Sequence, residues 1–212
     1  MGLFKTTKIQ DATVGIWKIE EATEDLHRRA SLTASEQAFY TTLQSPLRRK
    51  HWLSYRLILP HLLDPASASG ISYDQYGKPY LDNAQGHISV AHSGVYSALI
   101  ISRNKAVGID IESIHEKIFK LTHKFLSDKE QGYNFNDNAL ESLYLIWCAK
   151  EALYKLHGKR GLSFREHLHI DPFEFKGSGE LTGYIRKAGS GLRHSLFYEC
   201  FNRYMLVYVI GQ

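Results

Sequence analysis

The sequence predicts an α+β protein made of two similar α/β halves, and three observations carry that prediction. Alternating apolar and polar segments of strand length recur at the beginning, middle and end of the chain. Helical stretches with recognisable caps separate them, so the order strand, helices, strands occurs twice. At 212 residues the chain is long enough for one large or two small domains, at roughly 150 residues each. The expected boundary divides residues 1–105 from residues 106–212. The halves share an order of elements, not a visible repeat of residues.

In chain order, residues 14–19 read as a strand. Thr33-Ala-Ser-Glu36 has capping-box form and opens a helix to about residue 43. Ser45-Pro46 opens a second, basic helix, with Pro at the first helical position. That helix carries Arg48, Arg49, Lys50 and Arg56, and Pro60 is expected to kink or end it, because proline lacks an N–H. Residues 71–73, 87–91, 96–102 and 107–111 read as strands, separated by turn residues at Gly77, 83–86 and Gly94. Helix is expected over 117–126 and again over 138–157. Asn138-Ala-Leu-Glu141 opens the longer one, and Gly158 stands where a left-handed residue ends it. Strands at 169–175, 181–187, 195–200 and 204–210 complete the second half.

Composition excludes several classes. Hydrophobic residues make up 43% and charged residues 23%, a globular balance. The net charge of +4 is mild: 12 Lys and Arg stand against 9 Asp and Glu before residue 106. That suits a phosphorylated ligand or an acidic partner better than nucleic acid, which calls for a broad basic face. Two cysteines, Cys148 and Cys200, cannot form a disulfide framework, and no apolar stretch exceeds strand length. The expectation is therefore a cytoplasmic protein with no membrane and no nucleic-acid partner.

Four segments could carry chemistry. In Val107-Gly-Ile-Asp-Ile-Glu112, strand alternation puts Asp110 and Glu112 on one face. Such a pair suits a hard cation such as Mg²⁺, and equally suits a solvated edge strand. In Trp147-Cys-Ala-Lys-Glu-Ala-Leu-Tyr-Lys155, the residues Trp147, Glu151 and Lys155 stack along one helix face beside the apolar side. Tyr76-Gly-Lys-Pro79 fits a hairpin turn or a close backbone approach to a ligand beside a cation. His92, Ser93 and Gly94 sit at a strand end that could hold a phosphate. The remaining histidines have no metal-ligand spacing.

Taken in order, these segments resemble the Sfp-type 4′-phosphopantetheinyl transferases over about residues 45–165. The pattern is a basic helix, Y-G-K-P, S-x-x-H-S-G, G-I-D-I-E, F-L-S-x-x-E and W-x-x-K-E-A-x-x-K. The resemblance implies a pseudo-dimeric fold with the ligand cleft between its halves. It implies transfer of phosphopantetheine from coenzyme A to a serine of an apo acyl or peptidyl carrier protein. Asp110, Glu112 and Glu151 would then hold Mg²⁺ (or Mn²⁺), and Glu151 and Lys155 would be catalytic. Lys155, Tyr76, Gly77, Lys78, Pro79, His92, Ser93, Arg49 and Arg56 would bind coenzyme A, the arginines and His92 near its 3′-phosphate. Glu130 would match a family acid near the site. Ala91 departs from the pattern, which commonly has Ser there. A Mg²⁺-dependent phosphohydrolase and a non-catalytic coenzyme A or carrier-binding module are the competing readings, and a monomer is expected.

Overall fold

The computed structural model describes residues 2–63, 70–82, 86–187 and 190–212, so most of the turn expected at 83–86 lies outside the described residues. The chain divides into two compact units, Met1–Ala106 and Val107–Gln212. Both mix helix with antiparallel sheet, the α+β class that the element order predicts. Among the described residues no helix is long and apolar enough to cross a membrane.

The first unit runs β1 (Leu3–Ile9), β2 (Ala12–Lys18), α1 (Thr23–Arg29), α2 (Ala34–Thr42), α3 (Pro46–Leu62), β3 (Ile71–Tyr73), β4 (Pro79–Leu81), β5 (His87–Ser93) and β6 (Tyr96–Ser102). Its main sheet has the order β1-β2-β6-β5, with every pair antiparallel. Strand β1 escapes a reading by hydrophobicity because Lys5, Thr6, Thr7 and Lys8 give it the polar character of an edge strand. Helix α3 lies close on β2 at Gly15, where an added Cβ would come 2.4 Å from Ile58 Cγ2. Trp17, Leu26, Leu53, Ile58 and Leu99 form the centre of this unit's core. Pro60 does not end α3, which continues to Leu62. The proline falls in the last turn, where one missing donor removes one ladder bond and does not end the helix.

The second unit runs β7 (Val107–Ser113), a 3₁₀ segment over Glu116–Leu121, α4 (Thr122–Phe125), α5 (Asp128–Gln131), α6 (Ala139–His157), β8 (Leu168–Ile170), β9 (Ser178–Lys187), β10 (Ser190–Phe201) and β11 (Tyr204–Ile210). Its sheet order is β7-β11-β10-β9-β8, again antiparallel throughout. In each unit the strand that precedes the long helix pairs with the last strand, β2 with β6 and β7 with β11. Gly158 caps α6 with a left-handed φ of 68°. Asn138 makes no side-chain cap, since a 3₁₀ turn over Asn136–Asn138 leads into the helix instead. The expected helix at 117–126 is mostly 3₁₀, and the strand expected at 169–175 shrinks to the three residues of β8.

One buried ion pair ties the first unit together. The capping box at Thr33 leaves Glu36 only 5% exposed, although glutamate seldom enters a core. Glu36 Oε1 accepts from Arg56 Nε at 2.8 Å and from the Ile71 amide at 2.9 Å. Its Oε2 accepts from the Thr33 amide at 3.0 Å. Arg56 also donates to the Trp52 and Ile71 carbonyls and lies 3.4 Å over the Trp52 ring. The cluster joins α2, α3 and β3 with every carboxylate oxygen in use. Removing one partner of a buried pair strands the other, at a cost of about 3–5 kcal/mol. Glu36→Ala should lower unfolding free energy by that order in urea titrations, and an effect below about 1 kcal/mol, the range of surface pairs, would refute the role assigned to the cluster.

Candidate active site

Strand β7 is an edge of its sheet, and helix α6 rests directly on it. The contact is possible because residue 108 is glycine: a Cβ there would lie 2.0 Å from the Ala152 carbonyl oxygen. Side chains alternate along a strand, so Asp110 and Glu112 share the face of Gly108, toward α6. Val107, Ile109 and Ile111 take the opposite face and are also buried. The acids therefore meet the helix that carries Glu151 and Lys155.

Lys155 Nζ donates to Asp110 Oδ1 at 2.8 Å and to the Ile109 carbonyl at 2.9 Å. Asp110 is 6% exposed, and its Oδ2 is buried without a hydrogen-bond partner. Burial, then the negative charges of Asp110 and Glu112, push the Glu151 carboxyl up to about 7, with Lys155 opposing. Burial works against the Lys155 ammonium, but Asp110, by charge and hydrogen bond, and Glu151 hold it above its ordinary value. Among the described residues no three His, Cys, Asp or Glu side chains stand in a metal-coordinating arrangement. Lys155 stands on the Asp110 oxygen that a cation could use. The donor set still fits Mg²⁺: hard carboxylate oxygens, one of them an unpartnered buried atom.

Glu130 is not part of this group. It is 1% exposed and paired with Lys150 at 2.6 Å, and it also accepts from the Ser127 and Ile170 amides. These contacts hold Glu130 at the start of α5 against Lys150.

The first unit holds the remaining candidates. Tyr76, Gly77 and Lys78 lie in the β3–β4 turn and Pro79 opens β4; Gly77 has a φ of 84° that only glycine adopts without strain. Asp74 builds this turn: its Oδ1 accepts from the Tyr76 and Lys78 amides at 2.8 and 2.9 Å. The sequence signal for Asp74 was available, since Asp four positions before Lys78 and three before Gly77 is turn chemistry. Burial lowers the Lys78 ammonium's pKa, against the pull of Asp74. His92 is the next-to-last residue of β5, followed by Ser93. Its ring stacks on that of His51 at 4.3 Å and 14°. His51, on α3, donates from Nε2 to the Gly94 carbonyl at 2.8 Å, and burial lowers its pKa. Sequence reading passed over His51 because nothing local marks it. Arg49 donates to the Leu43 carbonyl and lies 5.4 Å over the Tyr40 ring. Arg56, expected near a phosphate, is 8% exposed and paired with Glu36.

Comparison with known proteins is consistent in the second unit. Residues 106–208 match the 4′-phosphopantetheinyl transferase superfamily. The chain is similar to the 4′-phosphopantetheinyl transferase AcpT of Escherichia coli K12, 32% identical over 117 residues, which are 52% of this chain and 59% of that protein. It is also 32% identical over 120 residues to the 4′-phosphopantetheinyl transferase of Bacillus subtilis, covering 54% of this chain and 50% of that one. The AcpT of Salmonella typhimurium is 28% identical over 145 residues, 63% of this chain and 72% of that protein. The chain thus spans little more than half the length of the first relatives it matches, 59% in the Escherichia coli case.

The raised Glu151 pKa makes a stability prediction for the metal-free chain. A carboxyl that binds its proton more tightly when folded favours folding at low pH. That contribution is lost as pH rises from the ordinary glutamate value of 4.5 through about 7. Glu151→Gln removes the charge that meets Asp110 and Glu112. The variant should be more stable than wild type above pH 7, by on the order of 2 kcal/mol, and no more stable at pH 4. Denaturant titrations at the two pH values check it; equal differences at both would sink the repulsion argument.

Proposed function

Because residues 106–208 match the 4′-phosphopantetheinyl transferase superfamily, we propose that the chain belongs to that family and moves the phosphopantetheine arm of coenzyme A onto a serine hydroxyl of an apo acyl or peptidyl carrier protein. The products are the holo-carrier and adenosine 3′,5′-bisphosphate. The observation that carries this reading is the meeting of Asp110 with Lys155 beside Glu151, with one Asp110 oxygen buried and unpartnered.

The reaction asks a protein for position and charge neutralisation more than covalent chemistry. Asp110, Glu112 and Glu151 would hold Mg²⁺, which when bound supplies Lewis-acid neutralisation of the pyrophosphate. Lys155, kept protonated by Asp110, offers a cation to phosphate oxygens at the same place. Glu151 is the residue we assign to take the serine proton, because Asp110 is engaged by Lys155 and Glu130 by Lys150. In the first unit, Tyr76–Pro79, His92, Ser93 and Arg49 would take the nucleotide end of coenzyme A. Gly77 lets backbone come close, while Lys78, His92 and Arg49 supply positive charge or hydrogen bonds. The burial of Arg56 leaves Arg49 as the stronger choice for the 3′-phosphate. Carrier proteins are usually acidic, which the net charge of +4 suits. We take the protein to work as a cytoplasmic monomer without nucleic acid or membrane.

Intact mass of an apo carrier after incubation with coenzyme A tests the proposal. A gain of one phosphopantetheine with Mg²⁺ and none with EDTA is the expected result. Coenzyme A breakdown without carrier modification would replace transfer by hydrolysis, and tight coenzyme A binding without turnover would leave a binding module. Asp110→Ala should abolish Mg²⁺-dependent turnover while the chain stays folded. Lys155→Ala should lower kcat by about 10²-fold or more, as loss of a transition-state charge partner does. Arg49→Ala should weaken coenzyme A more than its 3′-dephospho analogue, and equal weakening would remove the 3′-phosphate role.

A further inference from the structure

The second unit contains a buried ion pair built like that of the first. Ser127 caps α5 in a capping box with Glu130, as Thr33 caps α2 with Glu36. In both units the cation lies twenty positions further on, Arg56 and Lys150, within the long helix. In both units the same carboxylate also accepts the amide of a residue in the next strand to form, Ile71 of β3 and Ile170 of β8. Lys150 is 0% exposed, and its ammonium donates to Glu130 Oε2 and the Phe125 carbonyl at 2.6 Å each, and to the Phe164 carbonyl at 2.9 Å. All three of its protons are thereby placed. The rings of the same two phenylalanines pack on Trp147, at 5.4 and 5.5 Å.

The first unit keeps this cluster while lacking the charged site. Both long helices rest on a strand glycine, Gly15 beneath Ile58 and Gly108 beneath Ala152, each helix residue two positions beyond the cation of its buried ion pair. Counting from those glycines, Trp17 and Ile19 stand where Asp110 and Glu112 stand. Counting from the cations, Leu57 stands where Glu151 stands and His61 where Lys155 stands. Trp17 and His61 meet as rings 6.3 Å apart, at the place of the Asp110–Lys155 pair. The ion pair thus belongs to the scaffold and is separable from the chemistry.

We infer that Lys150 is a positioning residue for Glu151: pinned to Glu130, Phe125 and Phe164, it fixes the rotation of α6 that turns the next side chain toward β7. Successive helix residues differ by about 100°, so a small rotation of α6 moves Glu151 off the acid face. In the W-x-x-K-E segment, Trp147 and Lys150 anchor the helix and Glu151 and Lys155 face the strand. This inference rests on the reading of Glu151 as a site carboxylate.

The test uses the whole chain with Lys150→Met, Glu130→Gln and both together, at neutral pH. One readout is Mn²⁺ binding, followed by electron paramagnetic resonance of the free ion; the other is steady-state transfer to an apo carrier. Each single variant should weaken Mn²⁺ and lower kcat by about ten-fold, the range for groups that support metal ligands. KM for coenzyme A should stay within about two-fold, and the double variant should be no worse than the poorer single one. Glu36→Gln, in the first unit, should lower the thermal midpoint with no change in Mn²⁺ affinity. A raised KM for coenzyme A with kcat and Mn²⁺ affinity intact would mean that Lys150 touches the ligand, and would overturn the inference. Unchanged Mn²⁺ affinity and kcat in Glu130→Gln, or an equal loss of Mn²⁺ affinity in Glu36→Gln, would overturn it as well. If Lys150→Met cannot be purified folded, Glu130→Gln alone decides, because it preserves side-chain shape. Wild-type chain that binds Mn²⁺ but modifies no carrier would fail the proposed function, while the Mn²⁺ readout still decides the inference.

Discussion

Helix α6 can settle on β7 only because residue 108 has no side chain, and the rest of the site follows from that approach. A Cβ at 108 would fall inside the contact distance of the Ala152 carbonyl. With the helix that close, residues two and four positions along β7 face its first neighbouring turns. Asp110 then reaches Lys155, and Glu151 feels both strand acids. A separation larger by a methyl group would let water between the charges, and the perturbation of Glu151 would fade with it. Backbone proximity is therefore the cause, and the electrostatics of the site its consequence.

That electrostatic arrangement is a stressed one. The negative charges of Asp110 and Glu112 raise the Glu151 carboxyl, and one buried Asp110 oxygen lacks a hydrogen-bond donor, which leaves a deficit. Lys155 relieves part of the deficit, since Asp110 holds it protonated. The fold absorbs the remainder through its apolar core and through buried ion pairs whose hydrogen bonds are complete. The contrast between the two kinds of ionic group is instructive. Lys150 has an acceptor for each of its protons, and Glu130 is bonded at both oxygens. Asp110 and Glu151 are incomplete, and incompleteness is what makes them available.

Much of this was written in local sequence, and the remainder was not for definite reasons. Thr33 and Glu36, Ser45 with Pro46, and Gly158 announce helix ends because caps act within four residues. The shared face of Asp110 and Glu112 follows from a period of two. Strand β1 was hidden by its polar edge character, and the three-residue β4 by its length. The pairing of Arg56 was not legible, because helical spacing identifies a basic face without telling what packs on it. Its partner, Glu36, lies twenty residues away and is brought close only by tertiary folding. His51 and the glycine contact at 108 are of the same kind: a ring stacked across elements and a strand touching a helix have no neighbourly signature.

The two units show what one scaffold does with apolar and with charged residues at matching places. Trp17, Ile19, Leu57 and His61 close the gap between strand and helix in the first unit, and the first three are buried core. Asp110, Glu112, Glu151 and Lys155 occupy the same gap in the second unit and leave a polar, partly unsatisfied seam. Exchanging apolar for charged residues at a helix–strand contact would ordinarily loosen it, since buried charges favour water. Two features oppose that here: a glycine that holds the backbones together and an ion pair that fixes the helix from its other side. Both features recur in the first unit, where no charge has to be restrained, so they cannot be products of the chemistry. A frame already rigid through Gly108 and Lys150 is what allows four charged side chains to stand together without forcing β7 and α6 apart.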